Sequence, residues 1–202
     1  ANSSASSSWI SSLICIPTGT ERLTARKVSI HEYGGHPMFV MTSGLRSVRD
    51  KALTYFDEVI EEREEPFDKL YKAVNSIARQ IRRVAKEDKK ALAEAGLRFN
   101  LHVLVGGQLE RDQEPKLYML YPQGTWVEVC QDSPYHIIGE SGYGKSLLDS
   151  VLRYDMRIDL ALKGGCLAFE ATRNSATDVS YPVDVVIFPS AQSRHSPTPP
   201  TE

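Results

Sequence analysis

The sequence predicts an α+β fold in which helices stack on largely antiparallel sheets. Short strand patterns occur in groups, and a pair of amphipathic helices separates two of these groups. A chain of 202 residues is long enough for one domain, which can bury roughly 70% of its unfolded surface. We assign residues 25–189 to this domain, residues 1–24 to an atypical Ser-rich segment, and residues 190–202 to a polar, Pro-rich, disordered tail.

The first half of the domain has the clearest periodicity. Strand patterns at 26–30 and 38–41 flank a Gly-rich connection and predict a hairpin. From Ser43-Gly44 onward, apolar residues recur every three or four positions as far as Ile60. After a break at 61–66 the same spacing resumes at Leu70 and ends near Gly96. These patterns predict two adjacent helices that pack antiparallel.

In the second half of the domain, the sequence pattern predicts more strands than helices. Three strands are expected at 99–105, 117–121 and 125–129, and a tight turn joins the last two. Further elements are a short strand at 134–138, helices at about 146–152 and 158–171, and a final strand at 183–188. The apolar run at 9–16 is too short for a helix and predicts a buried strand.

Composition excludes several classes of function. The formal net charge is -2, and the longest basic group is the short cluster at 79–83, which argues against nucleic-acid binding. No apolar run approaches the ~20 residues of a membrane span, and no basic region followed by an apolar core points to export. The three cysteines are widely spaced and form no C-x-x-C pair, so neither a disulfide framework nor a zinc site is indicated. We expect a cytoplasmic protein.

Residues 139–146, Gly-Glu-Ser-Gly-Tyr-Gly-Lys-Ser, match the phosphate-binding loop pattern. A predicted strand before the loop, a predicted helix after it, and Ser146 as a magnesium ligand are the context that this motif needs. A phosphate-loop enzyme, however, has a parallel sheet with several strands after the loop. Only 56 residues and one clear strand follow Ser146. Nucleotide binding is therefore the alternative reading of this segment.

Several motifs occur along the chain in an order that is more informative than any one of them. They are Lys27 after an arginine, Met41-Thr-Ser-Gly44, Val105-Gly-Gly107, Leu117-Tyr-Met-Leu-Tyr-Pro-Gln-Gly124, Ile138-Gly-Glu-Ser-Gly-Tyr-Gly-Lys145 and Tyr181-Pro-Val-Asp-Val-Val-Ile187. As an ordered set, this resembles the bacterial proteasome-type proteases, most closely the ancestral beta-subunit group. The resemblance covers about residues 25–188. It implies an N-terminal-nucleophile hydrolase, with two sheets between two helix layers in a four-layer αββα sandwich.

The resemblance also implies a chemistry, namely threonine-type endopeptidase activity on peptide or unfolded-protein substrates. A terminal threonine hydroxyl attacks the peptide bond while its own amine takes the proton. Lys27 matches the family's lysine beside the hydroxyl, and Gly44 matches the glycine whose backbone N–H stabilises the oxyanion. Ser141 and Gly142 match the loop that orients the terminal amine. No metal or organic cofactor is implied.

The match to the family is weaker near both ends of the matched region. Ser175 and Asp178 match the family's supporting polar pair, but in swapped order. Before Lys27 the family has a nucleophile strand that this sequence does not show, and Ala1 has no hydroxyl. We therefore expect either a fragment that lacks its nucleophile or an inactive form. A non-catalytic structural subunit of a proteasome-like assembly is the remaining alternative.

The resemblance finally implies a homo-oligomer of proteasome-like subunits. In such proteins the subunits associate side by side through the helix layers. We expect the contact surface on the helix pair at 45–95, whose outward sides should then carry apolar residues beyond those that the core requires.

Overall fold

A computed structural model describes residues 13–15, 28–33, 35–130, 132–176, 179, 181 and 183–187. These residues form an α+β fold with a five-stranded antiparallel sheet, in the order β2-β3-β4-β5-β6, and a separate antiparallel pair, β1-β7. The strands are β1 Leu13–Cys15, β2 Val28–Tyr33, β3 His36–Gly44, β4 Leu101–Gly107, β5 Lys116–Leu120, β6 Trp126–Glu128 and β7 Asp184–Val186. The helices are α1 Arg46–Glu61, α2 Leu70–Glu94, α3 Lys145–Val151 and α4 Ile158–Ser175.

Strand β3 lies between two apolar cores, because both of its faces are buried. Met38 and Val40 point to one face, where α1 and α2 cover the sheet with apolar side chains that include Val48, Phe56, Leu70, Val74, Ile77 and Ile81. Each fully buried side chain of this kind stabilises the fold by roughly 1.5–3 kcal/mol. The helix pair therefore holds one face of the sheet.

The opposite face of the sheet carries a second, smaller core. Phe39 and Met41 of β3 join Leu104, Leu117 and Met119, and Val186 of β7 packs against them. Helix α4 in turn packs against β1, the partner of β7. The second face is thus covered in part by β7 and by loop residues, and α4 contacts β1 and lines a cavity on this face together with Met41 and Leu104.

Helices α1 and α2 run antiparallel, as the order of the contacts between them shows. The Lys51 ammonium lies 2.8 Å from carboxylate oxygens of both Glu87 and Asp88, whereas Tyr55, one turn later on α1, contacts Arg83, one turn earlier on α2. The Arg83 guanidinium lies 3.7 Å from the centre of the Tyr55 ring. These contacts make the outer surface of the pair charged.

Most predicted elements are confirmed. The β2-β3 hairpin, both long helices, β4 to β6, α3 and β7 lie within a few residues of the predicted positions. Residues 13–15 of the predicted strand 9–16 are β1, and its remaining residues lie outside the described part of the chain, as does the predicted tail at 190–202. None of the helices in the described part is long and apolar enough to cross a bilayer.

One predicted strand and one predicted helix boundary are wrong. Residues 134–138 form no strand; they line the cavity on the second face of the sheet, and Ile138 packs against the second core. Helix α4 continues to Ser175 instead of ending at Ala171. Its last turn satisfies its polar groups within the helix, since Thr172 donates to the Ala168 carbonyl at 2.8 Å and Arg173 pairs with Glu170.

Gly106 offers a test of the second core. It pairs with Phe39 across the β3-β4 ladder, and a Cβ at this position would lie 2.1 Å from the Phe39 ring. We expect Gly106→Ala to lower the free energy of unfolding by about 1–3 kcal/mol through overpacking. Urea denaturation measures this loss.

The Phe39→Leu variant is the matched control for this test. Removing the ring makes room at Gly106, so the double variant should lose less stability than the sum of the two single variants. Strictly additive losses would contradict the proposed contact.

Candidate functional site

The junction of β3 and α1 is built on Gly44. Its φ is +134°, and a Cβ at this position would lie 2.2 Å from the Asn100 carbonyl oxygen. Only glycine fits there. The next residue, Leu45, donates its N–H to the same Asn100 carbonyl at 2.9 Å, and α1 starts immediately afterwards. The backbone of this junction is therefore closely defined.

The direction of the Gly44 N–H follows from the ladder. Leu45 bonds Asn100, and hydrogen-bonded pairs alternate along an antiparallel ladder, so the next such pair toward the sheet centre is Ser43–His102. The Ser43 carbonyl then points to β4. Because the peptide bond between Ser43 and Gly44 is trans, the Gly44 N–H points away from β4, to the side of β2. The last described pair of β2 and β3 joins Val28 to Met41, and the Gly44 N–H lies further along β3 than this pair.

A glycine-rich loop approaches this junction from the other side. Gly139 has a φ of +99°, and a Cβ on it would lie 3.2 Å from the Ser43 hydroxyl. Within the loop, the Glu140 carboxylate accepts a hydrogen bond from the Gly142 N–H at 2.7 Å. Ser141 lies between them and is exposed. The loop thus turns back on itself directly beside the end of β3.

Helix α4 supports the loop from behind. Gly144 is buried, and a Cβ on it would lie 2.9 Å from the Ala168 carbonyl and 3.0 Å from the Thr172 hydroxyl. Ser175 follows three residues after Thr172, as the last residue of α4, and is exposed. The same helix end therefore holds the loop and carries one of the predicted site residues.

Two half-buried histidines lie near the junction. Burial lowers the pKa of His102, the cross-strand neighbour of Ser43, and also the pKa of His136. Both imidazoles are consequently neutral at pH 7. His136 lines a cavity of about 150 Å³ together with Ser43 and Gly144, and its Nε2 is buried without a hydrogen-bond partner among the described residues. These two imidazoles therefore add no charge near the junction, whereas the Glu140 carboxylate of the adjoining loop also lines the cavity.

The structure brings together part of the predicted site. The loop that carries Ser141 and Gly142 lies against Ser43, the residue before Gly44, through Gly139, whereas no described hydrogen bond joins Ser141, Gly142 or Ser175 to Gly44. Lys27 and Asp178 lie outside the described residues. Among the residues that the structure describes, no group of acidic, histidine and cysteine side chains could hold a metal ion.

The sequence did not predict the structural roles of Gly139 and Glu140. Gly139 allows the loop to approach Ser43, and Glu140 closes the loop through the Gly142 N–H. The only sequence signal for Glu140 is a carboxylate two residues before a glycine. That signal is too common to single out a position.

The phosphate-loop reading of residues 139–146 fits the structure poorly. Residues 134–138, directly before Gly139, form no strand, the described sheets are antiparallel, and α3 has only seven residues. Lys145 is held by Asp149, with 2.6 Å between the ammonium and the carboxylate. The loop therefore lacks the strand and the parallel sheet that such a site requires.

The fold has known structural neighbours. No protein-family model and no curated protein matches this sequence. An Anbu (ancestral beta-subunit) structure from Yersinia bercovieri is 26% identical over 89% of this chain and 77% of its own, with a TM-score of 0.78. The structural neighbours are Anbu proteins, a proteasome-related group.

Two further Anbu structures match this chain to a similar extent. One is a helical assembly of the Anbu complex from Pseudomonas aeruginosa, 25% identical over 88% of this chain and 76% of its own, with a TM-score of 0.77. The other is an Anbu (Gly-1) mutant from Hyphomicrobium sp. strain MC1, 25% identical over 88% and 77%, with a TM-score of 0.75. The likeness thus extends over most of this chain.

We expect the loop at 139–146 to bind no nucleotide. Calorimetric titration with ATP and magnesium should give no heat of binding, because the loop is packed against Ser43 and α4 and Lys145 is paired with Asp149. Lys145→Ala should leave the titration unchanged. Micromolar binding that disappears in Lys145→Ala would contradict this interpretation of the loop.

Proposed function

We propose that the chain is a subunit of a proteasome-like assembly that hydrolyses peptide bonds. The observation that carries the proposal is the junction itself, where the Gly44 N–H points away from β4 beside a loop closed by Glu140. The Anbu structures, which share the fold over most of this chain, support the same conclusion.

The proposed reaction is acyl transfer by a terminal nucleophile. A hydroxyl on a free N-terminal threonine or serine attacks the peptide carbonyl, and the amine of the same residue accepts the proton. The tetrahedral intermediate carries a negative oxygen, and the Gly44 N–H is the donor for it. One preorganised donor of this kind accelerates the chemical step about 10²–10³-fold.

The other predicted residues have supporting roles in this proposal. Lys27 places a positive charge beside the attacking hydroxyl. The loop with Ser141 and Gly142 orients the terminal amine, and Ser175 with Asp178 supports that loop. The fold that fits this chemistry is the four-layer αββα sandwich of N-terminal-nucleophile hydrolases. A cytoplasmic location and peptide or unfolded-protein substrates belong to the same proposal.

We expect no peptide hydrolysis that is sensitive to a threonine-directed covalent inhibitor from polypeptide that still begins at Ala1. A methyl side chain cannot attack a carbonyl, so the proposed reaction needs a terminal hydroxyl. The assay uses a panel of fluorogenic peptides, and mass spectrometry defines the first residue of each sample.

Processed material is the control for this assay. Turnover, if present, should arise only in samples whose terminus has become a hydroxyl residue, such as Ser3 or Thr24, and the inhibitor should modify that residue. Inhibitor-sensitive turnover by polypeptide with an intact Ala1 would contradict the proposed chemistry.

We also expect the chain to assemble into a homo-oligomer. Obligate interfaces bury roughly 2,000 Å² or more in total, which is enough to hold subunits together at micromolar concentration. Multi-angle light scattering should give a mass that is a multiple of the monomer mass. A strict monomer across a hundredfold range of concentration would contradict the assembly.

A further inference from the structure

The helices on the two sides of the sheet use their apolar residues differently. Helices α1 and α2 direct large side chains such as Phe56 and Ile77 into the first core, and among the described large apolar residues of this pair only Tyr71 is exposed. The expectation that the helix pair at 45–95 provides the subunit contact is therefore not supported, because its outer surface is charged. Helix α4, in contrast, turns small residues toward the sheet.

The small residues of α4 leave a cavity beside the second face of the sheet. Ala161, Ala168 and Thr172 lie on one side of α4 at the spacing i, i+7, i+11. All three line the cavity of about 150 Å³ that Met41 and Leu104 line from the sheet. Because an alanine side chain extends no further than its Cβ, α4 does not fill the space in front of these strands.

The cavity has the size and the lining of a site for a small aromatic molecule. An apolar cavity of about 150 Å³ is large enough to hold one benzene ring. Met41, Met156 and Phe169 line the space, and a thioether sulfur contacts the edge of an aromatic ring favourably. These side chains favour an aromatic ring over an aliphatic chain.

A histidine nitrogen in the wall has no hydrogen-bond partner. His136 lines the cavity, and its Nε2 is buried without a partner among the described residues. A hydroxyl group both donates and accepts hydrogen bonds, so it can pair with Nε2 in either tautomer of the neutral ring. A ligand with one hydroxyl group would therefore satisfy this atom.

The charges around the cavity favour a neutral ligand. The described lining residues include three carboxylates, Glu114, Glu128 and Glu140, and two cations, Lys116 and Arg153. Lys116 is already paired, since its ammonium lies 2.9 Å from Glu114 and 2.7 Å from Glu128. An anionic ligand would meet an excess of negative charge, and a cationic one would lose its hydration among apolar side chains.

Helix α3 offers a route of entry to the cavity. It has seven residues, none of which is buried, and Leu148 lines the cavity from this helix. Elements with few buried contacts open locally at a small cost in free energy. A small molecule can therefore enter while the sheet and α4 stay folded.

We propose that the cavity between the sheet and α4 binds a small, neutral aromatic molecule with one hydroxyl group, of the phenol class. The ring lies among the apolar side chains, and the hydroxyl pairs with Nε2 of His136. This inference goes beyond the proposed function and does not depend on it, since binding needs neither a terminal nucleophile nor an assembly.

Two fluorinated probes with the same ring test the site by fluorine NMR titration. 4-Fluorophenol carries the hydroxyl group, and fluorobenzene lacks it. We expect 4-fluorophenol to bind with a dissociation constant of about 0.1–1 mM, which is within the limit for so small a ligand, and at least as tightly as fluorobenzene. Absence of binding by both probes would overturn the site, and tighter binding of fluorobenzene would overturn the hydrogen bond to His136.

Variants of His136 test the hydrogen bond directly. His136→Leu leaves the ligand hydroxyl unpaired, so it should weaken 4-fluorophenol binding at least about tenfold and change fluorobenzene binding less than about threefold. His136→Gln is the matched control, because its amide also pairs with a hydroxyl, and it should keep the affinity for 4-fluorophenol within about fivefold of wild type. Circular dichroism checks that both variants are folded. An unchanged affinity for 4-fluorophenol in His136→Leu, or an equal loss for both probes, would overturn the assigned hydrogen bond.

Filling the cavity tests its location. Ala161→Leu should weaken binding of both probes at least about tenfold without lowering the melting temperature, because the larger side chain occupies an existing void. Leu160→Ala is the matched control on the same helix, since Leu160 is 47% exposed and is not among the described lining residues. It should leave both affinities unchanged. Unchanged binding in Ala161→Leu would overturn the assignment to this cavity, and a marked fall in its melting temperature would contradict the void itself.

Discussion

The close approach between the end of β3 and the Asn100 carbonyl is the constraint on which the rest of the structure depends. Gly44 has no room for a side chain there, and Leu45 bonds the same carbonyl at 2.9 Å. This contact fixes where α1 begins and therefore which of its residues reach the core under the sheet. It also fixes the peptide between Ser43 and Gly44, and so the direction of the Gly44 N–H. Packing and the proposed chemistry thus share one short stretch of backbone.

The loop at 139–144 is the second part of the proposed site, and close packing places it beside β3. Gly139 sits against Ser43, and Gly144 sits against α4, so small residues at both ends let the loop enter a narrow space. The Glu140 carboxylate then closes the turn between them. A loop held at both ends can orient a reacting group without moving, which is what electrostatic preorganisation requires. The same tight packing is incompatible with a phosphate bound in the loop.

The sequence predicted those parts of the fold that follow from periodic burial. Val48, Ala52 and Phe56 on α1 recur at helical spacing because one face of the helix meets the sheet. Residues 134–138 also show an apolar pattern, but that pattern reports burial and not strand pairing, which depends on a neighbouring strand that the sequence does not reveal. Gly44 could be found through the resemblance, whereas Glu140 could not, because its role arises only from the folded loop. The charged, amphipathic sequences of α1 and α2 already indicate a polar outer face, but which of these charges pair between the two helices appears only in the structure.

The exchange rate of the Gly44 amide is the most direct test of the proposed oxyanion donor. Mass spectrometry with electron-transfer dissociation measures hydrogen exchange at single-residue resolution. It compares the exchange rate of the Gly44 amide with that of the neighbouring Ser43 amide. We predict strong protection at Ser43, which bonds across the β3-β4 ladder, and fast exchange at Gly44, whose N–H points away from β4. Equal protection of the two amides would contradict the proposed role of Gly44. A Gly44 N–H that already donates a hydrogen bond within the fold is not free to donate one to an oxyanion.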